Sequence, residues 1–320
     1  MTEFSELLGV AVEAVSLATE LVRRRLPGAV QEKDDRDMVS EVDLAVEHAV
    51  RELLSRRTPG FGFLGEEEGK SGDQSSELSW SLDPIDGTAN FVHGIPLCAT
   101  LGLVASGEPV LGVIDLPFLG ARYTAIKKQG AYRDGKRITS RVPRGLDEAI
   151  IAIGDYAVGA QATEKNRVRM ALTSQLAQRV QRIRMLGSAA IDLAWVAEGK
   201  LDASVMFANK PWDTSAGVVI AREAGAVVID IDGTPHTSAS VGTVAVAKPL
   251  AGELLDVIGG AEAKPFRDPG CPGSRTSSNA LTHSKPVDPL GADDSTRHHD
   301  RTIHLTVSTR GDARLRSSAE

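Results

Sequence analysis

The sequence predicts a mixed fold, α+β in its first half and α/β in its second. Three observations predict it. The chain opens with a long run whose apolar residues recur at three- and four-residue spacing, three strand-like runs separated only by turn residues follow, and from about residue 146 strands and helices alternate. At 320 residues, 42% hydrophobic and 25% charged, the chain has the composition of a globular protein in water with ample material for a core.

Phe4, Leu7, Leu8, Ala11, Val12, Val15, Ala18, Leu21 and Val22 place one apolar face on a helix over about 3–25, closed by Pro27-Gly28. Glu3, Glu6, Glu13 and Glu20 interrupt that run and no basic segment precedes it, so it reads as an amphipathic helix and not as a signal peptide or membrane span. A second helix begins near Ser40 and ends about Arg57. "FGFLGEEEGK" then reads as a short strand ending in carboxylates, and "LSWSLDP" as another ending in Asp83. Residues 97–126 hold three strand-like runs divided by Ser-Gly-Glu-Pro and Pro-Phe-Leu-Gly, an antiparallel meander.

In the second half a strand near 149–153 precedes a helix over about 163–180 and a strand in "QRIRML". "GSAAIDLAWVAEGK" is a helix opened by Ser188 and closed by Gly199. "LDASVMF" and "AVVIDIDG" read as strands flanking the helix "WDTSAGVVIAREAG". Near Gly259 the pattern stops: residues 259–320 are rich in Ser, Thr, Pro, Gly, Asp and Arg, and they lack the apolar periodicity needed to offset ordering entropy, so they are predicted to be a disordered tail. His298, His299 and His304 fall in that stretch as solvated histidines.

With 43 acidic against 36 basic residues the formal charge is -7, which opposes non-specific binding to nucleic acid or anionic lipid, and aromatic residues at 4% are too few for base-stacking modules. Only Cys98 and Cys271 occur, in unlike contexts, so no structural disulfide and a reducing, cytoplasmic setting are expected.

The stretch "SWSLDPIDGTANFVHG" carries the most chemistry. Asp83 at a strand end, Asp86 in the following turn and the Ile85 carbonyl between them are hard oxygen donors of the kind Mg²⁺ takes. Gly87 lets the backbone come close, and the N–H groups of Gly87, Thr88 and Ala89 at a helix start can receive a phosphate. By average residue frequencies D-P-x-D-G-T arises by chance in a chain of this length with probability on the order of 10⁻⁴. Three other acids are ambiguous alone. Glu66 is a solvated loop acid or a bridging ligand, Asp213 an N-terminal helix cap or a ligand, and Asp43 an exposed helical acid or part of the site.

"DMVSEVD", "GEE", "LDPIDGTANFVHG", "GSAAIDLAWVAEGKLDA" and "WDTSAGVVIAREAG" occur in the order and spacing of the inositol monophosphatase family, which the chain resembles over residues 1–258. The resemblance implies a layered αβαβα sandwich of the sugar-phosphatase type, divided at about residue 145 into a metal and phosphate half and an α/β half. It implies Mg²⁺-dependent, lithium-sensitive hydrolysis of a phosphomonoester, and a homodimer. Carried over residue by residue, it implies Glu66, Asp83, the Ile85 carbonyl, Asp86 and Asp213 as metal ligands, with Glu67 and Lys33 beside them. Glu66 and Thr88, the latter held by Asp43, would activate a water. Asp86, Gly87 and Thr88 would bind substrate at its phosphate, and Gly187, Ser188, Ala189 and Met206 would face its alcohol. The expected substrate is myo-inositol 1-phosphate or a similar polyol phosphate, with histidinol phosphate, fructose 1,6-bisphosphate and 3′-phosphoadenosine nucleotides as same-fold alternatives. A binding factor on the transcription apparatus is the alternative of another class.

The chain departs from the family pattern at three places. Met206 stands where inositol-hydrolysing members often carry a glutamate for sugar hydroxyls, Ser215 replaces a usual alanine in the "WD" motif, and the loop from Lys33 to Asp43 is slightly short.

Overall fold

A computed structural model describes residues 3–24, 28–34, 37–95 and 98–263. Helix α1 (Glu3–Arg24) buries Ala11, Ala14, Val15, Ala18 and Val22, the face its spacing marks out. A short hairpin of β1 (Val30–Asp34) and β2 (Asp37–Ser40) leads into α2 (Glu41–Arg57). Ser40 starts α2 by a reciprocal capping box with Asp43, which uses helix amides that have no partner inside the helix.

The larger sheet is built from β3 (Gly62–Gly65), β4 (Lys70–Gly72), β5 (Leu78–Asp86), β6 (Cys98–Ala105), β7 (Glu108–Leu116), β8 (Ala121–Ile126), β9 (Gly130–Arg133) and β10 (Lys136–Ile138). Its order is β10-β9-β8-β7-β6-β5-β3-β4, antiparallel except where β3 runs parallel to β5. That parallel pair sets Gly65 beside Leu82, so the acidic loop after β3 and the Asp83 end of β5 emerge together. Helix α3 (Thr88–Val92) follows β5 directly.

The smaller sheet takes β11 (Ile150–Ile153), β12 (Arg182–Arg184), β13 (Ala203–Met206), β14 (Val227–Ile229) and β15 (Thr243–Val246) in the order β12-β11-β13-β15-β14. Its helices are α4 (Ala162–Ala177), α5 (Ala189–Glu198), α6 (Pro211–Glu223) and α7 (Ala251–Ala263).

Strand side chains alternate between faces, and this decides the layers. On β7, Leu111 and Val113 join α1 and α2 while Ile114 and Leu116 join α5 and α6. On β13, Met206 packs with α5 and α6 while Ala203 and Val205 pack with α4 and α7. The sequence of layers is therefore α1/α2, large sheet, α5/α6, small sheet, α4/α7, the αβαβα sandwich that the resemblance implied. Helix α6 lies unusually close to the large sheet: a Cβ on Gly102 would be 2.7 Å from Ser215 Cβ, and one on Gly112 would be 2.4 Å from the Ala216 carbonyl oxygen. Ser215 fits in this layer because its hydroxyl donates back to the Pro211 carbonyl.

The hairpins β1–β2 and β9–β10, the edge strand β4, the strand β15 and the helix α7 add to the expected elements. Helix α7 runs through Gly259 to Ala263 and buries Ile258 and Ala261, beyond the point where the composition changes. The expected tail from residue 264 onward, with Cys271 and the three tail histidines, lies outside the described residues. No described helix is long and apolar enough to cross a membrane.

Candidate active site

Strand β5 ends in the middle of the molecule, and its last residues turn back on themselves. The Ile85 N–H donates to Asp83 Oδ1 at 2.9 Å, which folds the Asp83 carboxylate against the turn. Gly87 then takes a left-handed conformation (φ 90°), and a Cβ there would sit 2.7 Å from the Gly187 carbonyl oxygen, so any larger residue would be both strained and crowded. No side chain caps α3 at this glycine.

Thr88 opens α3. Its hydroxyl donates to Asp43 Oδ1 at 3.1 Å and lies 3.3 Å from the Ile85 carbonyl oxygen. Asp43 is fully buried, with its other oxygen accepting the Ser40 N–H at 2.9 Å. The reading of Asp43 as an exposed helical acid is thus set aside: it is a helix cap whose second oxygen reaches the turn after β5. Burial pushes its carboxyl up, and the hydrogen bonds from Ser40 and Thr88 pull it partly back.

The acidic loop after β3 is held from below by a residue the sequence reading missed. Glu47, wholly buried on α2, accepts the N–H groups of Glu67 at 2.7 Å and Glu68 at 2.9 Å and pairs with Arg51. Gly65 makes room for it, since a Cβ there would lie 2.2 Å from Glu47 Oε1. The available signal was an acid four residues after Asp43 among Val42, Val46 and Val50, on the face of α2 that must be buried. From above, Lys33 reaches Glu66 at 3.1 Å and Glu67 at 2.8 Å. Burial lowers the Lys33 ammonium, but Glu67 and Glu66 outweigh it and hold the group above its ordinary value. Glu67 is pushed up to about 7 by burial, against the opposing pull of Lys33.

Asp86 is fixed by the N-terminus of α5. Ser188 Oγ and the Ala190 N–H both donate to Asp86 Oδ2 at 2.6 Å, and the Ala189 N–H is 3.3 Å from Oδ1. A carboxylate at the positive end of a helix is stabilised by unpaired amides and by the dipole. The donors expected to face the alcohol of a substrate are therefore directed at Asp86. Asn90 on α3 donates to the Leu186 carbonyl at 2.8 Å and so ties α3 to the same junction.

Asp213, in the first turn of α6, accepts the Lys210 N–H at 2.8 Å, so its role as a helix cap is realised too. Met206 is only 4% exposed and packs with Leu193, Val196 and Val218, which makes it a core residue in this structure and not an open pocket wall.

Asp83 is buried, and its carboxyl is held well above the usual range first by that burial and then by the charges of Glu66, Asp86 and Asp213. Asp213 is raised by burial and by Asp86 and Glu66. Four carboxylates thus share one electrostatic site. Among the described residues no three His, Cys, Asp or Glu side chains close into a metal cage. Like charges spread apart onto nearby donors: Asp83 to the Ile85 amide, Asp86 to α5, Asp213 to the Lys210 amide and Glu66 to Lys33. Clustered, mutually repelling hard oxygens, two of them on the buried Asp83 and Asp86, are nonetheless the donor set a divalent cation with oxygen preference would neutralise.

Residues 3–259 match the inositol monophosphatase family. The chain is 36% identical over 259 residues to the inositol-1-monophosphatase ImpA of Mycolicibacterium smegmatis, covering 80% of this chain and 93% of that one. It is 36% identical over 199 residues to a protein of Aquifex aeolicus named fructose-1,6-bisphosphatase/inositol-1-monophosphatase, covering 62% and 74%. Among solved structures, the extragenic suppressor protein suhB of Bartonella henselae aligns with a TM-score of 0.74 at 30% identity over 79% of this chain and 98% of that one. Fold, motif order and relatives agree, and the chain belongs to the inositol monophosphatase family, a family of metal-dependent phosphomonoester hydrolases.

Proposed function

We propose that the protein hydrolyses small phosphomonoesters, myo-inositol 1-phosphate foremost, with Mg²⁺ held by Glu66, Asp83, the Ile85 carbonyl, Asp86 and Asp213. The observation that carries this reading is the gathering of four carboxylates from three separate segments beside the Gly87–Thr88 turn. When bound, the cation supplies charge neutralisation for phosphate and leaving alkoxide and acidifies a water. The protein's own groups do the rest. Thr88 has given its one hydroxyl proton to Asp43, so its oxygen is left to accept a hydrogen bond from water. Glu66 takes the other proton of that water, steadied by Lys33 and by the loop that Glu47 pins. The amides of Gly87 and Thr88 receive the phosphate, and Gly187, Ser188 and Ala189 lie on the side of the leaving alcohol.

Substrate choice is inferred to be broad. With Met206 packed into the apolar layer, the end of β13 offers no carboxylate to a polyol, and apolar contact discriminates by about 10²-fold at most. The dual name of the Aquifex relative supports fructose 1,6-bisphosphate as a second substrate. A cytoplasmic homodimer fits the same reading, while a purely regulatory role is not favoured, because it has no use for the acid cluster. The test is kcat/KM for inositol 1-phosphate, glycerol 2-phosphate, histidinol phosphate and fructose 1,6-bisphosphate, with Mg²⁺ and with excess chelator. Turnover of several within about 10²-fold, lost in chelator, is expected. Full activity in chelator overturns the metal, and selectivity above about 10⁴-fold overturns the unselective pocket.

A further inference from the structure

The segment 234–242 between β14 and β15, with Thr243 at the start of β15, makes hydrogen bonds at both ends of α6. At the C-terminal end, Arg222 donates to the His236 carbonyl oxygen at 2.6 Å. At the N-terminal end, Asn209, one residue before the Lys210 cap, is held at three points. Its N–H donates to the Val241 carbonyl at 3.2 Å, its Nδ2 donates to the Ser240 carbonyl at 3.2 Å, and its Oδ1 accepts the Thr243 hydroxyl at 2.8 Å. His236 is buried, with Nε2 2.9 Å from Thr243 Oγ1.

The direction of these bonds follows from their partners. The Ser240 carbonyl can only accept, so Asn209 presents Nδ2 to it and Oδ1 to Thr243. The single Thr243 proton is therefore spent on Asn209, and His236 must donate from Nε2. The tautomer is fixed as Nε2–H, and Nδ1 is left buried with no hydrogen-bond partner among the described residues. Burial and the Arg222 charge together keep the imidazole neutral, with Asp230 opposing. A neutral donor that cannot turn over is what a fixed one-way chain needs.

We propose that His236, Thr243 and Asn209 are positioning residues: their one-way hydrogen-bonded chain sets the start of α6 and thereby the place of Asp213 in the acid site. Asn209 fixes the Lys210 backbone, the Lys210 amide binds Asp213, and Arg222 prevents α6 from sliding along its own axis. Helix α6 is already pressed against Gly102 and Gly112, so its remaining freedom is at its first turn, and this chain limits it. The inference rests on the reading of Asp213 as a ligand, but its backbone consequence does not.

The experiment compares Thr243→Val, which removes the hydroxyl, with Thr243→Ser, which keeps it, and with Asn209→Ala as a second break at a partly exposed site. Two quantities are read: the Mg²⁺ concentration for half-maximal activity, and hydrogen–deuterium exchange at the Asn209 and Lys210 amides without metal. Thr243→Val and Asn209→Ala are expected to raise half-saturating Mg²⁺ about 10-fold with KM for substrate little changed and to speed exchange at those two amides, while Thr243→Ser, which keeps the hydroxyl, stays close to the unmodified protein. If either breaking variant stays folded with both readouts unchanged, the proposal is overturned. If the unmodified protein ignores Mg²⁺, the proposed function fails, and exchange at Asn209 and Lys210 alone decides the positioning role.

Discussion

At the scale of single residues, the site is made of side chains that each serve two masters. Asp43 caps α2 with one oxygen and holds Thr88 with the other, Asp213 caps α6 within a cluster of like charges, and Asp86 closes the N-terminus of α5. Local helix chemistry thus aims these carboxylates before any substrate arrives, which lowers the cost of ordering them later. Removing one charge while keeping shape should spare the fold and damage the reaction. Asp83→Asn and Asp213→Asn are expected to lower kcat by at least about 10²-fold with circular dichroism and melting behaviour close to the parent, since both carboxyls are already held above their usual range by burial and then by neighbours of like charge. Activity within about threefold of the parent would show that neither carboxylate is needed at the phosphate.

At the scale of elements, the decisive contact is α6 on the large sheet. Gly102 on β6 and Gly112 on β7 leave room for α6 to settle on the sheet, so the depth of α6, and with it the height of Asp213, depends on missing side chains. A methyl at residue 112 would meet the Ala216 carbonyl, a backbone atom that cannot swing aside. Gly112→Ala is therefore expected to destabilise the protein by about 1–3 kcal/mol and to cut activity more than its stability loss explains. Denaturant unfolding read beside kcat at a temperature where the variant is fully folded separates the two effects. A stable variant with unchanged kcat would mean that α6 can rise without moving the site. The acidic loop has a comparable support in Glu47, whose carboxylate occupies the space above Gly65 and satisfies two loop amides.

At the scale of the whole molecule, three of the five layers bring the ends of α2, β3, β5, α5 and α6 around one region. No single layer contains the site, so its integrity reports on packing between α2, the large sheet and the α5/α6 layer. Helix α7 belongs to the outermost layer and buries Leu254, Val257, Ile258 and Ala261 against the small sheet. Truncation after Ala263 is expected to leave Tm and specific activity nearly unchanged, because residues 264–320 lack the apolar pattern needed to join a core. Truncation after Gly252 removes those four apolar anchors and is expected to lower Tm sharply, by on the order of 10 °C. A large loss in the first truncation, or none in the second, would reverse the assignment of which part of the C-terminal region is structural.

How much of this was legible beforehand varied with distance along the chain. Helix starts at Ser40 and Ser188, the meander over 97–126, and the strand-to-helix turn at Asp83–Thr88 were readable because each depends on residues within a turn or two of one another. The hairpin β9–β10 carried an Asp134-Gly135 turn signal that went unread, and α7, which contains Gly259 and Gly260, was not expected as a helix because its packing against the small sheet sustains it. Glu47 under the acidic loop, Ser188 on Asp86 across 102 positions, Asn90 on Leu186 across 96 and Thr243 on Asn209 across 34 had no local signature. The sequence by itself determined the elements, the kinds of atoms available at their ends and the family, since periodicity, caps and motif spacing are properties of neighbours along the chain. Only the tertiary structure decided which donor each carboxylate faces, that Met206 belongs to the core, and that α6 is held at both ends, because those depend on how deeply one layer settles on the next.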